Sequence, residues 1–527
     1  MIHKPRIPYA TWRRLSQLFC LGLFFLLFIK TDYAGHDELT YAVNILFRLD
    51  PLLALCASVA AGIFIALMLP ALVTLLLTLI LGRFFCGWVC PMGTLLDGSH
   101  TLIPPVTSGR DRKYRTLKYY LLGFLLIGTW FGLPVAGYVD PFSILVRSLA
   151  LAIDPALNTL ATTFFTHTYQ EAPAWINTIT EPAYSFLKAT ILPFNQKYYE
   201  LSILSLSILL TVFLLERLER RFFCRNLCPV GALFAVVSRF SLLRGKTGAT
   251  CGKCRNCREV CRMGAIDEER NISSLDCNLC LDCIDQCPGN RISFRFTSQS
   301  HPRPSFDLSR RIFIGSLAAG GLLPFFLKSR VLAQRPNPLL IRPPGALPEE
   351  DFTGRCVRCG ECMKVCIGNG LQPAFLTAGI EGMFSPLLRP RSGYCEYNCT
   401  LCGQVCPTGA IQRLTLQKKQ KIKIGNAQFD HNRCLPYAKG IPCIVCEEHC
   451  PTPDKAIKFK EVVVENNRNE KITVKQPYLV DELCVGCGIC ENKCPLPGAS
   501  AVQITSGGES RNPDNTLPAT GENNFGY

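Results

Sequence analysis

The sequence predicts a helical, membrane-spanning domain joined to small α+β modules, each built round a pair of four-cysteine motifs. Three observations predict it. Four long apolar runs precede residue 220, twenty-four of the 30 cysteines fall into six motifs of like spacing, and a paired arginine stands ahead of a short apolar stretch at Arg310–Arg311.

Composition sets the frame. A chain of 527 residues is long enough for several domains, each with its own core. Thirty cysteines with 48% hydrophobic residues suit neither a short disulfide-stapled secreted domain nor an ordinary soluble enzyme. The formal charge of +16 raises the question of nucleic acid. Its basic residues gather beside the apolar runs rather than along one helix face, so membrane flanks account for them and no nucleic-acid partner is expected.

The apolar runs lie near residues 15–31, 52–82, 117–138 and 198–216, each as long as a bilayer crossing or longer. The second has Pro70 inside it and is expected to tilt or kink. Basic flanks stand at Lys4, Arg6, Arg13 and Arg14, at Arg83, Arg110, Arg112, Lys113, Arg115 and Lys118, and at Arg217, Arg220, Arg221 and Arg225. The intervening loops, 32–51 and 139–197, are acidic or balanced (Asp32, Asp37, Glu38; Asp140, Asp154, Glu171, Glu181). The positive-inside rule puts both ends of this half in the cytoplasm. The expected order is a four-helix transmembrane domain at 1–230, a cytoplasmic two-cluster domain at 231–304, a fifth crossing at 305–330, a periplasmic four-cluster domain at 345–505 and a disordered tail at 506–527.

"SRRIFIGSLAAGGLLPFF" from Ser309 reads as a twin-arginine export signal facing the cytoplasm. Its apolar run, Ile312 to Leu327, is short and glycine-bearing, and "VLAQ" at 331–334 is a weak cleavage site. The segment is therefore expected to stay as the fifth crossing, with everything beyond Lys328 delivered outside.

The cysteine motifs come in three pairs. Three thiolates two residues apart wrap one face of a cubane, and a fourth, further on, points to the other cluster of the pair. That rule groups Cys251, Cys254, Cys257 with Cys287, and Cys277, Cys280, Cys283 with Cys261. It groups Cys356, Cys359, Cys362 with Cys406, and Cys395, Cys399, Cys402 with Cys366. It groups Cys434, Cys443, Cys446 with Cys494, and Cys484, Cys487, Cys490 with Cys450. The gap from Cys395 to Cys399 has one extra residue and Cys434 stands nine before Cys443, departures a bulged loop absorbs. Zinc does not require a third and fourth cysteine at fixed spacing six times over, so six 4Fe-4S clusters in ferredoxin-like two-cluster modules are expected.

Six cysteines remain. Cys20 and Cys56 lie in apolar runs and read as small hydrophobes. Cys86 and Cys90 in "GRFFCGWVCPMG", and Cys224 and Cys228 in "RRFFCRNLCPVGA", form matching pairs at the cytoplasmic membrane surface. They are candidates for a further metal centre or a dithiol relay.

On these motifs residues 1–300 resemble the NapH type of membrane polyferredoxin. Residues 305–505 resemble the NapG/MauM type of ferredoxin, including its twin-arginine leader and the long gap before Cys443. The resemblance implies electron passage between the membrane quinone pool and a periplasmic redox partner, a cytochrome or a molybdoenzyme such as periplasmic nitrate reductase. A hydrocarbon core about 30 Å thick is too wide for one tunnelling step. None of the seven histidines lies well inside a crossing, which disfavours a histidine-held haem and leaves a quinone as carrier. Quinol oxidation needs a proton acceptor near an amphipathic pocket, for which His36, Asp37 and Asp140 on the outer side and His100 on the inner side are candidates. Two other readings stay open: an electron-wire subunit of a larger respiratory complex, and a reductase for metal-site maturation like the copper-reducing polyferredoxins. "TGAT" at Thr247–Thr250 matches a flavin-attachment motif without its supporting domain, and "LPATG" at Leu517–Gly521 a sortase signal without an apolar tail. The basic run Gln417–Gly425 is expected on a solvated β-ribbon.

Overall fold

The computed structural model describes residues 8–100, 102–105, 114–193, 195–248, 251, 254–296, 308–328, 337–465 and 471–515. Lys4, Arg6, Arg110, Arg112, Lys113, the 331–334 stretch, the end of the Thr247–Thr250 motif and the 517–521 motif lie outside the described residues.

A helical half separates a small cysteine domain (251–296) from a large one (337–515). Helix α1 (Tyr9–Lys30) joins the two ends. At its start the amides of Tyr9 and Ala10 donate to the Asp285 carboxylate of the small domain, at 3.0 and 2.8 Å. Just past its end, Asp32 pairs with Lys364 of the large domain at 3.2 Å. Twenty-two residues at 1.5 Å rise make about 33 Å between those anchors.

Of the four expected crossings, only the first forms one long apolar helix. The second breaks into α2 (Pro51–Ala61) and α3 (Pro70–Leu81). Gly62 closes α2 in the left-handed region at φ 64°, and Pro70, which has no N–H to leave unpaired in the first turn, opens α3. Asp50 caps the first of these, accepting from Leu52 and Leu53. The third run gives α4 (Leu117–Trp130), which stops before Gly132 and Pro134, and the fourth gives only 13 residues at Ser202–Leu214. The region 139–197 is not the open loop its charges suggested. It is a continuous helix Pro141–Glu171, with a π turn at Leu149–Ile153, folded back as Ala174–Thr190. Among the described residues, Tyr9–Lys30 and Pro141–Glu171 are the two helices long and apolar enough to cross a membrane.

The twin-arginine segment forms a helix Arg310–Lys328 lying along α4. Glycines make the approach: a Cβ at Gly320 would stand 2.6 Å from the Phe124 carbonyl, and one at Gly123 would stand 3.1 Å from Leu317. The glycines that weaken this stretch as a lone anchor let it pack closely on a neighbour.

Each cysteine domain is closed by short antiparallel strands. In the small domain Leu243–Thr247 pairs with Ile292–Phe296. In the large domain Leu371–Pro373 pairs with Pro386–Leu388, Asn426–Phe429 with Val502–Thr505, and Ile457–Glu465 forms a ribbon with Lys471–Leu479. The domain is wider than 345–505. Arg342 is buried against Glu349 and Ser385, and residues 506–515, expected to be disordered, pack back on it. Ser506 donates to the Pro338 carbonyl at 2.8 Å, and Arg511 pairs with Glu349 at 2.7 Å. The basic run is not a ribbon either. It forms a helical turn at Leu416–Lys421, whose Lys419 is buried and donates to the Tyr397 carbonyl at 2.7 Å.

Candidate metal centres

The cysteine loops curl because the residues beside the middle cysteine take left-handed backbone. In Cys484–Cys490 these are Gly486 (φ 72°) and Gly488 (φ 84°), and in Cys277–Cys283 they are Leu279 (φ 54°) and Leu281 (φ 61°). Such a curl turns successive amides inward, a cradle suited to an anionic group.

Four cavities in the large domain are lined by the four groups that spacing assembles. One of about 360 Å³ has Cys356, Cys359, Cys362 and Cys406 in its wall. One of about 440 Å³ has Cys366, Cys395, Cys399 and Cys402. A third, about 330 Å³, has Cys450, Cys484, Cys487 and Cys490. The last, about 380 Å³, has Cys434, Cys443, Cys446 and Cys494. Four thiols converging on one apolar cavity fit a 4Fe-4S cluster. In the small domain Cys257 lies near Cys251, Cys254 and Cys287, and Cys283 near Cys277, Cys280 and Cys261. Burial pushes the Cys434 thiol up to about 11 and Cys446 to about 12. Thiols held this high bind as thiolates only when a metal displaces the proton.

The sites of the large domain stand in file. Cys362 lies near Cys402, the Cys395 amide donates to the Cys487 carbonyl at 2.9 Å, and Cys490 lies near Cys446. The first site, at Cys356–Cys362, is pressed against the helical half. There Arg358 donates to the Pro134 carbonyl and stacks over Tyr138 at 4.6 Å, while Arg147 donates to the carbonyls of Gly137 and Arg358. Lys364, buried, holds Asp32 at 3.2 Å and Asp154 at 3.7 Å.

The proton-acceptor candidates are not brought together. His36 is exposed. Asp37 accepts from the Thr400 amide (2.7 Å) and hydroxyl (2.8 Å), which makes it a docking residue between the halves. Asp140 is fully buried as a helix cap, accepting from the Ser143 amide at 2.7 Å beside the equally buried Asp50. His100 sits at the end of the helix Pro91–Ser99, near Arg220.

Cys86, Cys90, Cys224 and Cys228 do converge, each near the others, Cys228 buried and the other three half-buried. Among the described residues, no three His, Cys, Asp or Glu side chains stand close enough to share a single metal ion. Sequence reasoning missed the neighbours of these four. Arg83 and Arg221, expected as solvated membrane flanks, are fully buried beside the thiols. The signal was there: both motifs carry arginine three residues before the first cysteine.

Three segments, 63–105, 201–250 and 402–424, match the family described as "4Fe-4S binding domain". The chain is similar to the methylamine utilization ferredoxin-type protein MauM of Methylorubrum extorquens, with 37% identity over 182 residues, 33% of this chain and 78% of that protein. It is similar to the ferredoxin-type protein NapG of Escherichia coli K12, with 34% identity over 184 residues, 34% of this chain and 76% of that protein. A longer likeness, 27% identity over 264 residues, covers 47% of this chain and 73% of the methylamine utilization ferredoxin-type protein MauN of Methylorubrum extorquens. No solved structure matches the chain.

Proposed function

The chain belongs to the ferredoxin-type family of MauM and NapG proteins, and from that premise we propose that it carries electrons between the membrane quinol pool and a redox partner on the outer face of a bacterial inner membrane. Membership makes it an iron–sulfur electron-transfer protein. The finer reading gives it six 4Fe-4S clusters, two in the small domain on the cytoplasmic side and four in the large domain on the periplasmic side. Its partner would be a cytochrome or a molybdoenzyme. The clusters supply one-electron exchange at potentials the protein tunes. The chain's own part is to fix the sites in file, keep water from the thiols and present one end of the file to the helical half.

The observation that carries this reading is that file, beginning at Arg358 against Pro134 and ending at Cys434–Cys446. The length of α1, close to the hydrocarbon thickness, supports placing the two cysteine domains on opposite faces.

A second reading has an observation of its own. His36, Asp37, Asp140 and His100 stand apart, which favours an electron-wire subunit whose quinone site belongs to a partner chain. The test is anaerobic addition of a menaquinol or ubiquinol analogue to the oxidised protein, followed by absorbance and paramagnetic signals. Rapid, inhibitor-sensitive reduction is expected for a quinol site on this chain. No reduction, with the clusters still reducible by dithionite, replaces the first reading with the second.

A further inference from the structure

The two cysteine pairs of the helical half are copies of one eleven-residue pattern, arginine-Phe-Phe-Cys-x-x-x-Cys-Pro-x-Gly, at Arg83–Gly93 and Arg221–Gly231. In each copy the second cysteine caps a helix whose first residue is proline: Cys90 before Pro91–Ser99 and Cys228 before Pro229–Ser238. The Cys228 sulfur accepts from the Gly231 amide at 3.3 Å. A thiol in that position faces the positive end of the helix.

The arginines cross between the copies. Arg221 donates to the Cys86 carbonyl and the Gly93 carbonyl, both at 3.1 Å. Arg83 reaches the other way, its Nη2 3.0 Å from where a Cβ of Gly231 would stand. That Cβ would crowd the arginine while standing in ordinary contact with the Cys228 sulfur at 3.5 Å, so it is the arginine that favours glycine there. Arg221 has a carboxylate partner, Asp97, at 2.7 Å. Arg83 makes one hydrogen bond, to the Leu275 carbonyl, and its Nε and Nη2 are buried without a partner. The nearest carboxylate, Asp276, is already shared with Lys118 at 3.2 Å and Arg115 at 3.6 Å, so the fully buried Arg83 guanidinium has no carboxylate of its own. A cubane held by four thiolates brings a net charge of about −2, an anion beside the guanidinium of Arg83 that has no carboxylate of its own. A cluster also spans the gap that keeps these thiols from sharing a single ion.

The same place touches the small domain directly and reaches the large one through the buried core of the helical half. The Cys86–Cys90 loop lies on the Cys277–Cys283 loop: a Cβ at Gly87 would meet the Asn278 carbonyl at 2.3 Å, and Trp88 Nε1 donates to the Leu279 carbonyl at 2.9 Å. On the far side the Phe85 ring stands 6.1 Å from Phe142, and Gly137 backs directly onto Val357. One continuous buried core holds Cys228, Phe85 and Phe142 together with Val357 and Cys359.

We propose that Cys86, Cys90, Cys224 and Cys228 together hold one further iron–sulfur cluster between the two repeats, with Arg83 and Arg221 as its positioning residues, and that this site joins the small and large domains into one electron path. The proposal rests on the reading that the six cysteine groups hold clusters. Each step along the path is a one-electron exchange, the donor site oxidised and the acceptor site reduced by one electron, with no bond broken and no further reactant.

Iron and acid-labile sulfide per chain, with paramagnetic spectra, test it on the full-length protein purified without oxygen. Seven cubanes give about 28 iron atoms, and the double variant Cys90→Ser/Cys228→Ser falls to about 24 with one signal lost. Equal iron of about 24 and identical spectra in both proteins overturn the proposal, as does one equivalent of zinc or copper lost with the double variant. Iron far below 24 in the parent fails the six-cluster reading instead. Cys254→Ser, at an exposed thiol of the small domain, separates general misfolding from site loss: it removes a different signal and leaves this one. Arg83→Gln is expected to keep the iron but lower the midpoint potential of the added signal, and Arg83→Lys to restore most of it. An unmoved potential overturns the charge-balancing role.

Discussion

Two cysteine loops of the large domain, Cys356–Cys362 and Cys484–Cys490, have the same shape and different residues. Both put the residues beside the middle cysteine in left-handed backbone. The distal loop does so with Gly486 and Gly488, the proximal one with Arg358 (φ 57°) and Gly360. A non-glycine there costs about 1–3 kcal/mol. The strain is kept where a side chain is needed: Arg358 leaves its loop to bond Pro134 of the helical half and the Glu381 carbonyl. In the small domain the loop that touches the helical half likewise uses Leu279 and Leu281, both buried. Loops that only surround a site use glycine, whereas loops that also dock use side chains and carry the strain.

The largest break in that comparison is Lys364→Met, beside the docking loop. It leaves Asp32 with Lys197 alone and Asp154 without its close cation. Losing one member of a buried charge network costs about 3–5 kcal/mol. The large domain is expected to become protease-sensitive at its contact with the helical half while its visible absorbance stays. Unchanged protection would show that the charges do not hold the halves together.

Gly486→Ala sharpens the same contrast from the distal side. It adds left-handed strain of about 1–3 kcal/mol, and its Cβ would meet the Gly425 carbonyl at 2.5 Å. The expected outcome is loss of one cluster's iron and signal. Arg358→Gly, in the equivalent place of the proximal loop, is expected to keep its iron and loosen docking instead. Iron analysis alongside proteolysis distinguishes the two.

These loops also mark how far the sequence was legible. Cysteine spacing is local, so the groups it assembles are the groups that line the four cavities. The helical half was less legible, because hydropathy averages over breaks. It merged Pro51–Ala61 with Pro70–Leu81 across Gly62, and it read the threonine-laced helix Pro141–Glu171 as a loop. Arg83 and Arg221 were taken as flanks because nothing within one motif reveals that each reaches into the other. Asp37 pointed to proton chemistry, but its partner Thr400 is 363 residues away.

A pH comparison separates the interior of the large domain from its docking face. Burial works against the Glu349 carboxylate, but Arg342 (2.6 Å) and Arg511 (2.7 Å) outweigh it and hold the group down to about 2. The ordinary value is 4.5, so the folded form binds its proton less readily than the unfolded form. The contribution is therefore complete above about pH 4.5 and is lost as pH falls towards 2, on the order of 3 kcal/mol. Glu349→Gln is expected to lower the melting temperature at pH 7 and to flatten the acid side of the stability curve. A parallel shift of the whole curve would remove the ion pairs as its cause.

The smallest effect concerns the other end of α1. Asp285 of the small domain caps that helix from outside, its two oxygens taking the amides of Tyr9 and Ala10. Pro8, at the cap position itself, supplies no side-chain acceptor, so the cap is a docking contact as well as a helix stop. A lost cap costs about 0.5–2 kcal/mol, less than the buried network around Lys364, because water replaces part of what the carboxylate gave. Asp285→Ala is expected to speed amide exchange at the first turn of α1 and leave exchange near Asp32 unchanged. Equal changes at both ends would mean that the helix couples the two cysteine domains rigidly, and that strain set at one docking face is felt at the other.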